Sequence, residues 1–396
     1  MKVAHLADLH LGYRQLERQT NRGGNQREAD VAEAFRRAVD DVLEQRPDLI
    51  IMAGDVFHSV RPTNPAILFL FQQLQRVRVT LPDTPVILVS GNHDTPRSAE
   101  TGTILKLYEA LGVEVVADRP RRLSFPKLDC AVLAVPYQSL VSADRPALRP
   151  ERGATRNILT LHGSIEGVAG LEPASEYAGP PLARAELALA QWDYVALGHY
   201  HVAHEVAANA WYAGSLEYTS FDPWGELAAQ RAAGLPGKGW LLVDVPGARV
   251  TFRPVAPPRR FVDLTPLDAT GLTAPELDAR IAQRVHDASP PIDEQVARLV
   301  VTNVSRGVAA DLDHATIRGY KARALNFRLD LRRPEVRREV GNAAPGKRQP
   351  LRETMREFLQ RRPLDAALDR ETFVALGMQY LDEAEQGARA ESGGGA

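Results

Sequence analysis

Val3-Ala-His-Leu-Ala-Asp-Leu-His10 is the stretch on which the reading of this chain turns: a short, mostly apolar run ending in two side chains able to hold a metal ion. The pattern returns four times. Leu49-Ile-Ile-Met-Ala53 leads to Asp55, Val86-Ile-Leu-Val89 to Asn92, Ile158-Leu-Thr-Leu161 to His162, and Tyr194-Val-Ala-Leu197 to His199 and His201. Apolar runs of this length are what strands covered on both faces look like. In an open α/β sheet, ligands gather in the crevice beyond the C-terminal ends of the strands. The five runs are therefore expected to bring Asp8, His10, Asp55, Asn92, His162, His199 and His201 to one place.

Two carboxylates, one amide and four imidazoles form a mixed oxygen and nitrogen set, which suits manganese, iron, zinc or cobalt better than calcium or magnesium. No thiolate is among them, which excludes a zinc ribbon. The expectation is a cage for two ions. Asp55 is the natural bridge, because each oxygen of a carboxylate can hold one ion. Asp8, His10 and His201 would complete the first site, and Asn92, His162 and His199 the second. His5, inside the first run, reads as a hydrogen-bonded core histidine, while His204, His286 and His314 have no motif around them.

Asp8-Leu-His10, Gly54-Asp55, Gly91-Asn-His-Asp94, His162-Gly163 and Gly198-His-Tyr-His201 resemble the signature of the calcineurin-like metallophosphoesterases. His5-Leu-Ala-Asp-Leu-His-Leu-Gly-Tyr13, Gly54-Asp-Val-Phe-His58 and Gly214-Ser-Leu-Glu217 are further similar to the DNA double-strand-break repair nucleases of the Mre/SbcD type. Five ordered motifs within about 200 residues are far more specific than any one alone, and they cover roughly the first 220 residues. The resemblance implies a DNA nuclease with two manganese ions, a 3′ to 5′ exonuclease on duplex DNA and an endonuclease on single strands. It further implies an SMC-like ABC ATPase as partner and a homodimer. Hydrolysis would use a hydroxide activated by the two metals, and His93 would be no ligand but the group that protonates the departing sugar oxygen. His58 would help position the phosphodiester, or alternatively hold Asp55. Asp94 would fix the tautomer of His93, or alternatively cap its turn. A phosphatase or cyclic-nucleotide phosphodiesterase would use the same metals, but small-substrate relatives can work with the catalytic sandwich alone, so the residues beyond position 260 weigh against it. A non-catalytic scaffold is disfavoured by the presence of all seven ligands and His93.

Between the metal-bearing runs lie helical stripes: Val31, Phe35, Ala38 and Val42 in residues 27–45, Ile67, Leu70, Phe71 and Leu74 in 64–78, and Ile104, Leu107, Tyr108 and Leu111 before Gly112. Residues 211–217, 239–245 and 249–255 read as strands with little helix between them. The predicted fold class is α/β: a metallophosphoesterase β-sandwich with mixed sheets, flanked by helices and forming a nuclease domain over residues 1–257. After the prolines at Pro257 and Pro258, a strand, helix, strand, helix, strand order predicts a small α/β module over 258–334, which the resemblance makes a capping domain. A linker over 335–350 precedes a helical segment over 351–385, and residues 386–396 should be disordered.

The loop from Gly12 carries Tyr13, Arg14, Arg18, Arg22 and Arg27 beside the first ligands and is expected to touch DNA phosphates. From Arg318 to Arg352 the local net charge is +8, which suits a phosphate backbone or an acidic helix. Two helical stretches, 351–361 and 364–385, follow, the second with too many apolar groups for a free tail; by resemblance the segment docks on the coiled-coil base of the ATPase, or alternatively packs back onto this chain. The chain carries no phosphate-cradling Gly-rich loop ending in Lys-Ser/Thr, so ATP hydrolysis would be the partner's. The whole chain has 396 residues, 44% hydrophobic and 25% charged, with a net charge of −2: a globular balance that by itself neither favours nor excludes nucleic acid. The lone Cys130 excludes an internal disulfide and fits a reducing cytoplasm, where a DNA-directed enzyme would be nucleoid-associated. The N-terminus does not read as a signal peptide, and no run reaches the eighteen or so apolar residues of a membrane helix.

Overall fold

The computed structural model of the chain describes residues 1–21, 23–96, 102–142, 145–168, 181–334, 351–362, 364 and 369–392. Two compact units divide it, Met1–Pro334 and Glu335–Ala396.

The first unit opens with β1 (Lys2–Leu6), α1 (Gln26–Gln45), β2 (Leu49–Ala53), α2 (Asn64–Thr80), β3 (Val86–Val89), a 3-10 helix (Ile104–Leu111) and β4 (Glu114–Val116). A second series follows: β5 (Arg121–Phe125), β6 (Cys130–Val135), the single turn α3 (Tyr137–Leu140), β7 (Arg156–His162), β8 (Tyr194–Gly198), β9 (His204–Ala207) and β10 (Ala210–Tyr212). Next, α4 (Pro223–Ala232) leads to β11 (Gly239–Asp244) and β12 (Arg249–Pro254). The strands make two six-stranded sheets, ordered β12-β11-β1-β2-β3-β4 and β5-β6-β7-β8-β10-β9. Both are mixed, as expected: β1 to β4 run parallel, β11 pairs antiparallel with β1 and β12 antiparallel with β11, and β6, β7, β8 and β10 run parallel between antiparallel edges.

Strand alternation explains why the runs are apolar throughout. Leu49, Ile51 and Ala53 face the interior between the sheets with Ile87, Val132, Ile158 and Ala196. Ile50 and Met52 face outward onto Phe35, Val39 and Leu70 of α1 and α2. Leu159 and Leu161 face the other way again, onto Leu187 and Trp192. Each strand is buried on both sides, so no polar position breaks its run. Thr63 caps α2 by accepting from the Ala66 amide, and Asn25 caps α1 by accepting from the amides of Arg27 and Glu28.

Beyond Pro254, β13 (Phe261–Asp268), α5 (Ala274–His286), β14 (Val296–Thr302), the short α6 (Arg306–Ala310), α7 (His314–Arg323) and β15 (Asn326–Leu331) form a parallel three-stranded sheet with its own core, in which Leu277, Ile281, Leu299 and Phe327 meet. This module packs on the sandwich through Phe261, Val296 and Leu325 against Tyr218, Trp224 and Leu227.

The second unit holds α8 (Leu351–Arg361) and α9 (Arg370–Ser392), joined by an Arg352–Asp382 ion pair and by packing of Leu359 under Gly377. Here α9 continues to Ser392, past the residue 385 boundary beyond which the sequence predicts disorder. The linker assigned to 335–350 lies outside the described residues. Helix α4 is also a correction, because residues 211–239 were expected to carry little helix. The strand expected over 211–217 stops at Tyr212, where Gly214 takes φ +78° and the chain turns toward His201.

Arg27 requires a further correction. It belongs to α1 rather than to the substrate loop, and it is fully buried. Its guanidinium donates to Asp30 Oδ2 at 3.2 Å, to Glu217 Oε2 at 3.3 Å and to the Tyr218 carbonyl at 3.1 Å, and lies 5.2 Å from the centre of the Phe261 ring. Arg259 continues the network to Asp30 and to Glu294 in the module of β13 to β15. Breaking a buried ion pair leaves an uncompensated charge, so Arg27→Ala should lower the unfolding free energy by about 3–5 kcal/mol in urea titration. Unchanged stability with weakened, salt-sensitive DNA binding would instead return Arg27 to the phosphate-binding role read from sequence.

Candidate metal centre

The predicted ligands sit where the strands run out. Asp8 and Asp55 lie two residues past the ends of β1 and β2, Asn92 three past β3, His162 is the last residue of β7, and His199 follows β8 directly. The loops after β1 and β2 are zipped together by Asp8 N to Gly54 O, His10 N to Asp55 O and Leu11 N to Val56 O, each 3.0 Å. Asp8, His10, Asp55 and His199 all have positive φ, at 52°, 47°, 50° and 119°. Such conformations cost of order 1–3 kcal/mol each for non-glycine residues and persist where the surroundings over-determine them. Close approach is the second condition: a Cβ on Gly54 would strike the His162 ring, one on Gly91 the Asp55 carboxylate, and one on Gly198 the Ala53 carbonyl.

All seven predicted ligands converge. His10 Nε2 lies 3.0 Å from His201 Nε2, and His201 Nε2 lies 3.9 Å from Asp8 Oδ1. On the other side, His162 Nε2 is 3.0 Å from Asn92 Oδ1 and 3.3 Å from Asp55 Oδ2, and His199 Nδ1 is 3.3 Å from Asn92 Oδ1. With metal–ligand bonds of about 2.1 Å, donor atoms around one ion sit roughly 3.0–3.4 Å apart, so four of these separations already fit an ion's coordination sphere. Asp55 does lie between the two groups, but not with one oxygen for each. Its Oδ2 lies 3.3 Å from His162 Nε2 and 3.8 Å from His10 Nε2, while Oδ1 accepts from the His93 amide at 2.9 Å. Among the described residues, the same neighbourhood gives two donor groups able to hold a cation, Asp8 with His10 and His201, and Asp8 with Asp55 and His162, and a third group of His10, His58 and His93.

The electrostatics point the same way. Burial would lower the pKa of His162, but Asp55 outweighs it and holds the imidazole up to about 9. Burial would raise that of Asp55, but His162 and His10 drive it well below the usual carboxylate range. Burial raises Asp8 to about 6, with Asp55 adding to the rise and His162 and His201 opposing it. Burial and then His201 push His10 down, and burial and then His162 lower His199 to about 3. In His201, burial opposes the charged form, yet Glu226 and Asp8 win and the pKa rises. A proton held between an imidazole and a buried carboxylate occupies ground that a divalent cation fits better, since the cation satisfies both donors at once.

The remaining residues predicted for the site divide. His93 Nδ1 donates to the His58 carbonyl at 2.7 Å, so that carbonyl, not Asp94, fixes its tautomer. Asp94 instead accepts from the amides of Val56, Phe57 and Gly91, tying the loops after β2 and β3 together: the turn-capping alternative. The His58 ring meets His10 Nδ1 at 3.2 Å rather than Asp55, and burial, with His93 next, lowers its pKa to about 4. The His58 ring therefore lies against His10, one of the predicted ligands. Tyr13 is buried, its ring edge-on to His58 and its hydroxyl on Gln15. Arg14 and Arg18 are exposed, with Glu28 at 3.1 Å and Glu294 at 3.6 Å. Arg22 lies outside the described residues.

Sequence reasoning missed Glu226 and Lys238, a buried pair supporting His201: Lys238 Nζ donates to the His201 carbonyl at 2.7 Å and pairs with Glu226, whose Oε2 lies 3.8 Å from His201 Nδ1. Neither sits in a motif, so no local signal marked them. Glu217, which grips Arg27, was quoted within Gly214-Ser-Leu-Glu217 but given no role.

A family model described as calcineurin-like phosphoesterase matches residues 1–203. Among curated proteins, the DNA double-strand break repair protein Mre11 of Methanococcus maripaludis is 37% identical over 102 residues, 26% of this chain and 25% of that protein. Mre11 of Methanocaldococcus jannaschii is 24% identical over 256 residues, 62% of this chain and 63% of that one, and Mre11 of Archaeoglobus fulgidus 28% over 222 residues, 51% and 46%. This chain thus spans less than two thirds of the length of each of these relatives. A dimetal phosphatase from Danio rerio superposes with a TM-score of 0.37 at 12% identity over 64% of this chain and 95% of that one, too loosely to bear on function. With the matched model spanning half of the sequence and its Asp, Asn and His donors gathered at the strand ends, the chain belongs to the calcineurin-like phosphoesterase family.

Proposed function

We propose that this phosphoesterase is a DNA nuclease of the Mre/SbcD type using two manganese ions, an exonuclease working 3′ to 5′ on duplex ends and an endonuclease on single strands. The observation that carries the reading is the convergence of seven oxygen and nitrogen donors around Asp55, in a chain whose curated relatives are named as DNA double-strand break repair proteins. Bound divalent ions supply positive charge beside the phosphodiester and a hydroxide near neutral pH.

The protein's own groups do the rest. Asp8, His10, Asp55 and His201 would hold one ion, and Asp55, Asn92, His162 and His199 the other. His93 donates from Nδ1 to the His58 carbonyl, so in its doubly protonated form Nε2 would carry the proton handed to the leaving sugar oxygen. An alkoxide is a poor leaving group, so this proton matters to the rate. Exposed Arg14 and Arg18, whose carboxylate partners are weak surface pairs, can exchange them for phosphate oxygens.

Partners follow from exposed apolar surface. In the second unit Leu351, Phe358, Leu376 and Tyr380 are exposed while Leu359 and Met378 are buried. A helix pair with this outer face supports docking on the coiled coil of an SMC-like ABC ATPase through residues 351–385. Exposed Leu68 and Val79 on α2 support a homodimer through the first unit. Among the described residues no helix is long and apolar enough to cross a membrane. A place on the nucleoid follows from the DNA substrate.

End-labelled duplex DNA with manganese, run beside a chromogenic phosphomonoester, tests the reading: ladders of nucleotides without phosphomonoester turnover are expected, and the reverse result would overturn it. Asp55→Ala should abolish binding of both ions in a manganese titration in which the parent binds two; binding of one ion would refute the shared carboxylate. His93→Ala should keep both ions and lose about 10²–10⁴ in kcat. Deletion of residues 351–396 should abolish co-purification with the ATPase while leaving manganese-dependent cutting of short DNA, and undiminished co-purification would refute the docking assignment.

A further inference from the structure

Phe221 is the most exposed large apolar side chain among the described residues, with 86% of its surface in solvent. Its backbone is held on both sides. Ser220 Oγ donates to Glu226 Oε2 at 2.6 Å, and Asp222 caps α4 by accepting from the Gly225 amide at 3.0 Å. Two residues before Phe221, Thr219 Oγ1 lies 3.5 Å from Nδ1 of the metal ligand His201. One short segment therefore runs from beside His201 to an aromatic ring that stands in water.

The ring borders a cavity of 520 Å³ between the sandwich and the capping module, shared with Trp224, Phe261, Asn326, Lys321 and Arg328. Lys321 and Arg328 are exposed, and neither forms an ion pair among the described residues. The acidic residue of the wall, Asp222, is engaged as the cap of α4. A presented aromatic face with unpaired cations around it is the chemistry that holds an unpaired nucleic-acid strand: the base stacks on the ring and the phosphates meet the cations. Bases inside a duplex offer no free face to such a ring.

We propose that Phe221 is a stacking platform for a nucleobase of an unpaired DNA strand, a positioning residue that favours single-stranded or opened ends at this metal centre. The inference rests on the nuclease reading above. It is tested on the full chain with manganese and uncleavable phosphorothioate oligonucleotides carrying 2-aminopurine at successive positions. The parent should quench the fluorophore at one position. Phe221→Ala should lose that quench and bind the single strand about tenfold more weakly, with Tm unchanged because the ring buries little. Phe221→Trp should restore both, Phe221→Leu neither, and blunt-duplex affinity should move by no more than about twofold. Parent-like affinity and quench in Phe221→Ala would overturn the inference, as would a leucine that binds as well as the tryptophan, which marks an apolar docking face for a protein. A parent that cuts DNA while Phe221→Ala binds unpaired strands equally well sinks the stacking inference alone. A parent that binds no DNA at all sinks the nuclease reading with it.

Discussion

Everything at the metal centre depends on one carboxylate oxygen. Asp55 Oδ2 stands between His162, from the far sheet, and His10, from its own. To reach both, the C-terminal ends of β2 and β7 must come closer than side chains on their neighbours would allow. That is why glycine stands at 54, 91 and 198, each against a ligand or the backbone that carries one. The same crowding turns Asp8, His10, Asp55 and His199 into positive φ, a conformation that only a well-packed surround sustains. Asp94 supplies part of that surround, because three amides from two loops close on its carboxylate.

Burial makes the same arrangement electrostatically demanding. Asp8, Asp55 and His162 are all but sealed from water, and desolvation is the largest influence on each of their ionisations. Their pKa values then move in opposite directions according to which neighbour dominates. Charges of both signs are thus held in a space that neither sign alone can satisfy, and a divalent ion resolves the conflict better than protons do. The imidazoles that burial lowers, His10 and His199, are kept neutral and hence able to donate a lone pair.

The segment from Gly214 to Asp222 joins this centre to the module of β13 to β15. At one end, Ser215 and Thr219 touch His201; in the middle, Glu217 holds Arg27, and Tyr218 packs on Phe261 of the module. Arg259 and Asp30 extend the buried charges to Glu294. A change in how the module sits on the sandwich would therefore act on a segment in contact with a metal ligand, with no separate linkage required.

That these seven side chains would meet was legible in the sequence because each follows an apolar run of strand length, buried on both faces with its end at the crevice. The helices α1 and α2 were legible through apolar stripes at helical spacing. What chain order could not reveal is which of two nearby groups a side chain chooses. His93 and Asp94 are neighbours in sequence, yet the His93 ring bonds to His58, because Asp94 points back into the loop amides. Arg27 reads as one more arginine of a basic loop until the fold surrounds it with Asp30, Glu217 and Phe261. Glu226 and Lys238 carry no local signature, since their support of His201 exists only once α4 and β11 fold back on it. Periodicity and strand-end polarity are properties of the chain, and they determined the sandwich and which side chains meet at its crevice. Hydrogen-bond partnership and burial of charge depend on residues far apart in sequence, so only the tertiary structure decided them.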